Sequence, residues 1–273
     1  MIIDSHQHLM SPVIKQVEKL DKAGIDKAVL FCTTPHPEKA NTFSELKTEM
    51  NTLYKILNGD NSKTANIQRL MNNIEEVIQA IQKYPDRFYG FGAVPLELSL
   101  QDTEEWIEKN IISNGLKGIG EFTPGSEKQI SMLETVFHAL QRFPGCPIWI
   151  HTFHPVSLDG IKILMDFTKK YSKTPVIYGH MGGAYWMDLI DFVKTVSNAY
   201  IDLSVAFSSL AVRMAVTELP EKCLFSSDAP YGEPFLNRQL IEFVSPTEKI
   251  TGMVLGGNIS RIISKCDFSH LIP

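Results

Sequence analysis

Short apolar segments recur along the chain and alternate with longer segments of helical periodicity. Each is nearly continuously apolar over a few residues, which is typical of strands buried on both faces of a parallel sheet. Eight are present: residues 1–8, Lys27–Cys32, Phe88–Val94, Leu116–Glu121, Pro147–His151, Pro175–His180, Ala199–Ser204 and Cys223–Asp228.

The intervening segments carry apolar residues at helical spacing, for example from Ile67 to Ile81 and from Ile130 to Leu140. Ser245 starts a Ser-Pro-Thr-Glu sequence with capping-box spacing, which predicts a helix beginning there. Eight strand–helix alternations predict an α/β protein with a (β/α)8 TIM barrel, and a doubly wound open sheet is the alternative.

Residues 35–66 interrupt this alternation because they are polar and too long for an ordinary connection between a strand and a helix. We interpret them as a helical insertion after strand 2 that covers the barrel mouth. The length of 273 residues is normal for one barrel, so we expect residues 1–273 to form a single domain.

Composition narrows the class of protein. A net charge of −5 without a basic cluster argues against nucleic-acid binding, and no apolar run is long enough to span a membrane. We expect a cytoplasmic protein that acts on a small-molecule substrate and has no membrane partner. Whether the chain forms a homodimer is left open by the sequence. The sparse cysteines form no Cys-x-x-Cys pair and fit a reducing compartment: Cys32, Cys146, Cys223 and Cys266.

His6 and His8 are one residue apart at the end of the first apolar segment. Alternate side chains of a strand share a face, so both imidazoles are expected to point the same way. Two neutral imidazoles at that spacing suit a divalent ion such as zinc. Two histidines near a chain terminus also occur without any metal, so this pair alone does not establish a site.

Other residues with ligand chemistry lie where later strands are predicted to end. Each alone has an ordinary explanation, such as a turn at Asp228 or a core histidine at His151. The carboxyl ends of barrel strands meet at one rim, so we interpret the set as one site. The candidate metal ligands are His6, His8, Glu121, His151, His180 and Asp228.

Such a site holds a divalent ion and leaves one position for water, whose pKa falls from about 16 toward about 7. A carboxylate beside that water can move its proton. We assign this catalytic role to Asp228. His180 either stabilises a developing oxyanion or binds a second ion.

The combination of motifs resembles the amidohydrolase superfamily, and in particular the amidohydrolase-2 branch that contains aminocarboxymuconate-semialdehyde decarboxylase. The resemblance implies Zn2+, with Mn2+ or Fe2+ as alternatives, held by His6, His8, His151 and Asp228 with His180 beside the attacking water. Glu121 occupies the position of a bridging acid in relatives with two ions, so one or two ions are expected. The motifs that carry the resemblance are Asp4–His8, Tyr84–Phe88, Gly118–Glu121, Ile150–His151, Gly179–Gly183, Ile201–Ser204, Ser227–Asp228 and Gly257–Ile262.

Three functions remain open from the sequence. The first is a metal-dependent hydrolase of a small amide, ester or lactone, and the second is a non-oxidative decarboxylase of a small unsaturated or aromatic acid. A decarboxylase needs a cation for a carboxylate, and no arginine adjoins the predicted ligands in sequence, which favours hydrolysis. Arg213 and Arg238 are the candidate cations, with ordinary surface charges as the favoured alternative. The third is a barrel that binds without catalysis.

Residues in the predicted loops are candidates for shaping the pocket, with ordinary packing as the alternative. They are His154, Tyr185, Trp186 and Tyr231, and Cys32 is a candidate thiol near the mouth that is better explained by core packing.

Overall fold

The computed structural model describes residues 1–57, 63–266 and 268, and within them eight parallel strands alternate with helices. The pairing of neighbouring strands follows chain order in two sheets, β1-β2-β3 and β4-β5-β6-β7-β8. The strands are β1 (Ile3–His8), β2 (Lys27–Phe31), β3 (Phe88–Gly90), β4 (Ile119–Phe122), β5 (Ile148–His151), β6 (Val176–Gly179), β7 (Ala199–Asp202) and β8 (Cys223–Leu224).

The two sheets are joined at both edges, so the eight strands form a closed barrel. Gly92, just beyond β3, pairs with Ile119 of β4, and Gln7 of β1 pairs with Ala229 beyond β8. The fold is therefore the (β/α)8 TIM barrel expected from the alternation of strands and helices.

Eleven helices lie among the described residues. They are α1 (Ile14–Ala23), α2 (Phe43–Leu57), α3 (Lys63–Lys83), α4 (Leu100–Trp106), α5 (Glu127–Ala139), α6 (Leu158–Lys170), α7 (Trp186–Thr195), α8 (Ser209–Glu218), α9 (Pro234–Val244), α10 (Glu248–Gly252) and α11 (Asn258–Ile263). The predicted insertion, residues 35–66, contains α2 and the start of α3, and its residues 58–62 lie outside the described residues. No helix in the described ranges has the length and apolarity needed to cross a membrane.

The barrel interior is a packed apolar cluster that includes Phe31, Phe91 and Trp149. Side chains of α11 belong to the same cluster, and Asn258 of this helix donates hydrogen bonds to the carbonyls of Pro220 and Cys223. Because Cys223 begins β8, α11 closes the end of the barrel where the strands start. The opposite end of the barrel, where the strands finish, remains for the candidate ligands.

An extra residue in β1 sets the direction of its histidines. Asp4 pairs with Ala28 and Gln7 with Leu30, so three steps along β1 match two along β2. This β-bulge reverses the alternation of side chains. Ile3 belongs to the barrel interior and the His6 ring contacts Phe31, whereas the Asp4 and Gln7 side chains bond to each other.

Two local predictions differ from the structure. Strands 3 and 8 are shorter than their apolar segments, because the barrel is completed there by single bridges. The helix predicted to begin at Ser245 begins after Thr247 instead, whose Oγ1 accepts a hydrogen bond from the Ile250 amide at 3.3 Å. Ser245 instead ends α9, with its amide bonded to the Ile241 carbonyl.

Candidate metal centre and active-site cavity

The six candidate ligands lie at the end of the barrel where the strands finish, around one cavity of about 470 Å³. His6 and His8 end β1, Glu121 lies in β4, and His151 is the last residue of β5. His180 directly follows β6 and Asp228 follows β8. All but His6 line the cavity, and His6 is fully buried behind His8 and Glu121.

Glu121 is central because its two carboxylate oxygens face different histidines. Oε2 lies 3.6 Å from Nε2 of His6 and 3.6 Å from Nε2 of His8. Oε1 lies 3.4 Å from Nδ1 of His151 and 3.1 Å from Nε2 of His180. The carboxylate therefore joins two clusters that could each hold a cation.

Asp228 completes the first of these clusters. Its Oδ1 lies 3.1 Å from Nε2 of His8 and 3.6 Å from Nε2 of His6. Ligand atoms bound about 2.1 Å from a shared ion are separated from one another by roughly 3.0–3.5 Å. The four separations between the two histidine nitrogens and the two carboxylate oxygens, 3.1–3.6 Å, are close to this spacing.

Asp202 determines which nitrogen of His6 is available. Its Oδ2 lies 2.8 Å from Nδ1 of His6, so that nitrogen carries the hydrogen and Nε2 presents a lone pair. Nε2 of His6 and Oδ1 of Asp228 are buried and have no hydrogen-bond partner among the described residues. A buried unpaired polar atom costs about 1–3 kcal/mol. A shared cation satisfies both atoms, so the residues fit a divalent ion.

The electrostatics of the cluster support this conclusion. Burial by itself lowers the pKa of His6, but the Glu121 and Asp202 carboxylates outweigh it and raise that pKa well above its usual value. Burial opposes ionisation of Glu121, yet the facing histidines hold the pKa of this carboxyl well below its usual range. The cluster therefore attracts positive charge, either as a proton or as a metal ion.

His180 and His151 are each fixed by a second contact. Nδ1 of His180 lies 2.9 Å from the Ser204 hydroxyl, which leaves its Nε2 directed at Glu121. Nε2 of His151 lies 3.1 Å from the His154 carbonyl, which leaves its Nδ1 facing the same carboxylate. Burial opposes protonation of His180, but Glu121 and Asp228 together raise its pKa.

The backbone at the site is constrained. His180 and Asp228 adopt left-handed conformations with φ of 61° and 58°, a region that costs a non-glycine residue about 1–2 kcal/mol. Asp228 is held by a hydrogen bond from its amide to the His6 carbonyl at 2.8 Å. At Gly120, with φ of 124°, a Cβ would lie 2.4 Å from the Trp149 carbonyl oxygen, so only glycine fits before Glu121.

Sequence reasoning missed several residues around the site. Asp202 and Ser204 were noticed only as part of a family motif, although their positions at the end of β7 were a signal that they face the same rim. Arg69 of α3 also lines the cavity, with Thr34 and Asn73. The sequence around the ligands gives no indication of Arg69, because only the tertiary fold brings α3 next to the cavity.

The predicted loop residues divide into two groups. His154 and Tyr231 line the cavity, whereas Tyr185 and Trp186 pack against the apolar core. Cys32 lines the cavity as well, and burial raises the pKa of its thiol to about 12, so it is a neutral wall residue.

Neither arginine named as a candidate for binding a carboxylate lines the cavity. Arg213 is exposed on α8. Arg238 donates hydrogen bonds to the carbonyls of Ala23 and Gly24, at the end of α1. This helix runs antiparallel to the strands, so its last residues lie at the far end of the barrel, and the alternative interpretation of both arginines as charges outside the site fits their positions.

The fold and site were compared with known proteins. No curated protein matches the sequence significantly. Among solved structures, an uncharacterised TIM-barrel protein from Bordetella bronchiseptica has a TM-score of 0.71 at 12% identity, over 97% of this chain and 99% of its own. Two decarboxylases are also similar over nearly their full lengths.

The first is 2,6-dihydroxybenzoate decarboxylase from Rhizobium, with a TM-score of 0.68 at 15% identity over 96% of this chain and 98% of that one. The second is a dihydroxybenzoic acid decarboxylase from Polaromonas sp. JS666, solved with manganese and the inhibitor 2-nitroresorcinol. Its TM-score is 0.65 at 17% identity, over 96% of both chains. At these identities the likeness establishes the barrel fold.

The sequence itself matches a family profile. The profile of the amidohydrolase-2 family, described as amidohydrolase, aligns with residues 3–262 and so includes all six candidate ligands. The chain therefore belongs to the amidohydrolase-2 family and is an enzyme of the amidohydrolase superfamily.

Proposed function

We propose that this enzyme is a divalent-metal-dependent, non-oxidative decarboxylase of a small aromatic or unsaturated carboxylic acid. One observation carries the proposal: Nε2 of His6 and Oδ1 of Asp228, which have no hydrogen-bond partner among the described residues, lie at the same cavity as both carboxylate oxygens of Glu121. A cavity of about 470 Å³ has the size of a small-molecule site. The full-length structural neighbours that carry a named activity favour decarboxylation over the hydrolysis expected from the sequence.

The sequence argument for hydrolysis was the lack of an arginine near the ligands. Arg69 supplies a cation in the same cavity, although it is far from the ligands in sequence. The cavity therefore contains a cation of the kind that a decarboxylase needs.

We assign His6, His8, Glu121 and Asp228 as the ligands of one ion. Oε2 of Glu121 faces this ion site, and its Oε1 contacts His151 and His180. Imidazole and carboxylate ligands suit manganese as well as zinc. The Polaromonas neighbour contains manganese, so we propose Mn2+ as the resident ion and keep Zn2+ as the alternative. When bound, the ion supplies positive charge that orients an oxygen substituent of the substrate and stabilises negative charge developing on it.

Decarboxylation requires a proton at the carbon that loses the carboxylate. The bond between this carbon and the carboxyl carbon breaks, CO2 leaves, and the bonding electron pair stays on the substrate carbon, which takes up one proton. We assign delivery of the proton to Asp228, which lines the cavity and would first take this proton from solvent. His180, whose two ring nitrogens contact Ser204 and Glu121, is proposed to hold Oε1 of Glu121 in a fixed orientation.

Hydrolysis of an amide, ester or lactone is the second candidate, because the same residues could place a water molecule beside Asp228. In that reaction Asp228 would take a proton from water instead of giving one to carbon. The direction of this proton transfer separates the two functions.

The test incubates the Mn2+-loaded protein with carboxylated phenols, including 2,6-dihydroxybenzoate, and with an aryl ester, a lactone and an anilide. Release of CO2 with formation of the corresponding phenol, and incorporation of one deuteron on carbon in D2O, is the expected result. Turnover of the ester, lactone or anilide without CO2 release from any acid would overturn the proposal in favour of hydrolysis.

A further inference from the structure

The cavity is larger than an acid with a single ring needs. A cavity of about 150 Å³ is enough to hold benzene, whereas this cavity measures about 470 Å³. The candidate ligands lie at its inner end, where the strands finish. A one-ring acid bound at those ligands therefore leaves much of the outer part of the cavity unfilled.

Three apolar side chains of α2 face this cavity. Met50, Leu53 and Tyr54 all line it, and their i, i+3 and i+4 spacing places them on one side of the helix. We call these three residues the α2 face. Tyr54 is 54% exposed, and none of the three belongs to the apolar core formed by the described residues. The apolar surface of the α2 face is therefore available to a molecule that enters the cavity.

Hydrogen bonds hold α2 over the mouth of the barrel. Oε2 of Glu49, in α2, accepts a hydrogen bond from the His36 amide at 2.8 Å. Nδ1 of His36 lies 3.0 Å from Oε1 of Glu38, and the same oxygen accepts a hydrogen bond from the Ser11 amide at 2.8 Å. Ser11 lies in the loop that follows β1. The start of the insertion is thus bonded to the rim of the barrel, and α2 is bonded to the start of the insertion.

Apolar side chains also lie on the other side of the mouth. Phe153 follows β5 and Val205 follows β7, and both line the cavity. β5 and β7 flank β6, which lies opposite β2 in a closed barrel whose eight strands follow chain order. Val205 is 41% exposed and has a φ of 45°, a conformation that β-branched residues rarely adopt. Since the α2 face belongs to the connection after β2, the outer part of the cavity is apolar on two facing sides.

We propose that the space between the α2 face and the side chains of Phe153 and Val205 binds an apolar substituent of the substrate. The substrate is therefore an aromatic or unsaturated acid that carries an alkyl chain or a second ring, with its carboxylate directed toward the ligand cluster. Burial of apolar surface on both the substituent and the α2 face stabilises the complex. The inference rests on the proposed decarboxylase function for the reaction, but binding of the substituent does not depend on it.

The test uses isothermal titration of the Mn2+-loaded full chain with benzoate, 3-butylbenzoate and 4-butylbenzoate. The three probes share the ring and the carboxylate and differ only in the butyl chain and its position. Each fully buried methylene strengthens binding about fourfold. We therefore expect at least one butyl derivative to bind the unaltered protein about tenfold or more tightly than benzoate.

Met50→Gln and Leu53→Gln each make the α2 face polar at similar side-chain size. Each is expected to lower this affinity ratio about threefold or more, with benzoate affinity nearly unchanged. Met71→Gln is the matched control for Met50→Gln, because Met71 is 43% exposed on α3 and does not line the cavity. It should keep the full ratio. Thermal melting checks that each variant folds.

Ratios near one for both butyl derivatives in the unaltered protein overturn the inference. A full ratio in the folded Met50→Gln and Leu53→Gln variants, or an equal loss in Met71→Gln, also overturns it, because the gain would then not come from the α2 face. A ratio that depends on the α2 face supports the inference even if no acid releases CO2, a result that would remove only the decarboxylase proposal. CO2 release from one-ring acids with ratios near one would leave the decarboxylase and remove the apolar site.

Discussion

Oδ2 of Asp202 lies 2.8 Å from Nδ1 of His6, and both side chains are fully buried. The aspartate therefore fixes the tautomer of the histidine and directs its Nε2 toward Glu121 and Asp228. Asp202 also accepts a hydrogen bond from the Ser204 amide. The end of β7 thus orients the ligand at the end of β1.

Replacing Asp202 should weaken metal binding without removing a proposed ligand. In Asp202→Asn we expect affinity for Mn2+ to fall about 10- to 100-fold, because the orientation and basicity of His6 are lost. Competition with a fluorescent chelator measures this constant. Asp159→Asn, at a mostly exposed position in α6, is the control and should bind Mn2+ normally. Equal affinity in the Asp202 variant and the control would contradict the role assigned to Asp202.

Metal binding should stabilise the protein more at higher pH. The pKa of His6 is raised in the folded, metal-free protein, so its protonation contributes stability that is complete below about 6.5 and is lost as pH rises through the folded pKa. The ion takes the place of that proton. The increase in melting temperature caused by Mn2+ should therefore be larger at pH 8 than at pH 6.

A chelator should reverse the stabilisation by Mn2+ at both pH values, which provides the control in the same series of melting curves. His138→Ala, on the exposed face of α5, should leave the pH dependence unchanged. An equal or larger gain at pH 6 would argue against competition between a proton and the ion at His6.

Asp228→Asn should remove most turnover while leaving the fold intact. The amide cannot exchange a proton with the substrate, so we expect kcat to fall about 100-fold or more. Deuterium incorporation from D2O into the product follows the same step. Asp191→Asn, whose side chain is mostly exposed on α7, should retain full activity. Turnover of Asp228→Asn at the unaltered rate would exclude Asp228 as the proton donor.

Gly120→Ala should destabilise the barrel next to Glu121. The added Cβ meets the Trp149 carbonyl oxygen at 2.4 Å and the backbone is held at a φ of 124°, so we expect a loss of about 2–4 kcal/mol in unfolding free energy. Urea denaturation measures it. At Gly252 a Cβ meets nothing within 4 Å, and Gly252→Ala should change stability by less than about 0.5 kcal/mol. Similar midpoints for both variants would contradict this account.

The architecture followed from local patterns, because burial on both faces and helical amphipathicity are properties of short segments. The Ile67–Ile81 stripe predicted the helix that became α3 (Lys63–Lys83). Local patterns were less informative at boundaries. Ser245 and Thr247 are both residue types that cap helices. Because α9 extends to Val244, Ser245 ends α9 and Thr247 caps the start of α10.

The sequence by itself determined the alternation that builds a barrel and the types of residue at its strand ends, since both are encoded within a few neighbouring positions. Only the tertiary structure decided which oxygen of Glu121 faces which histidine, that Asp202 orients His6, and that Arg69 enters the same cavity. Those relationships join residues up to 196 positions apart. Their distances depend on barrel closure, on the bulge in β1 and on the placement of α3, none of which a local pattern specifies.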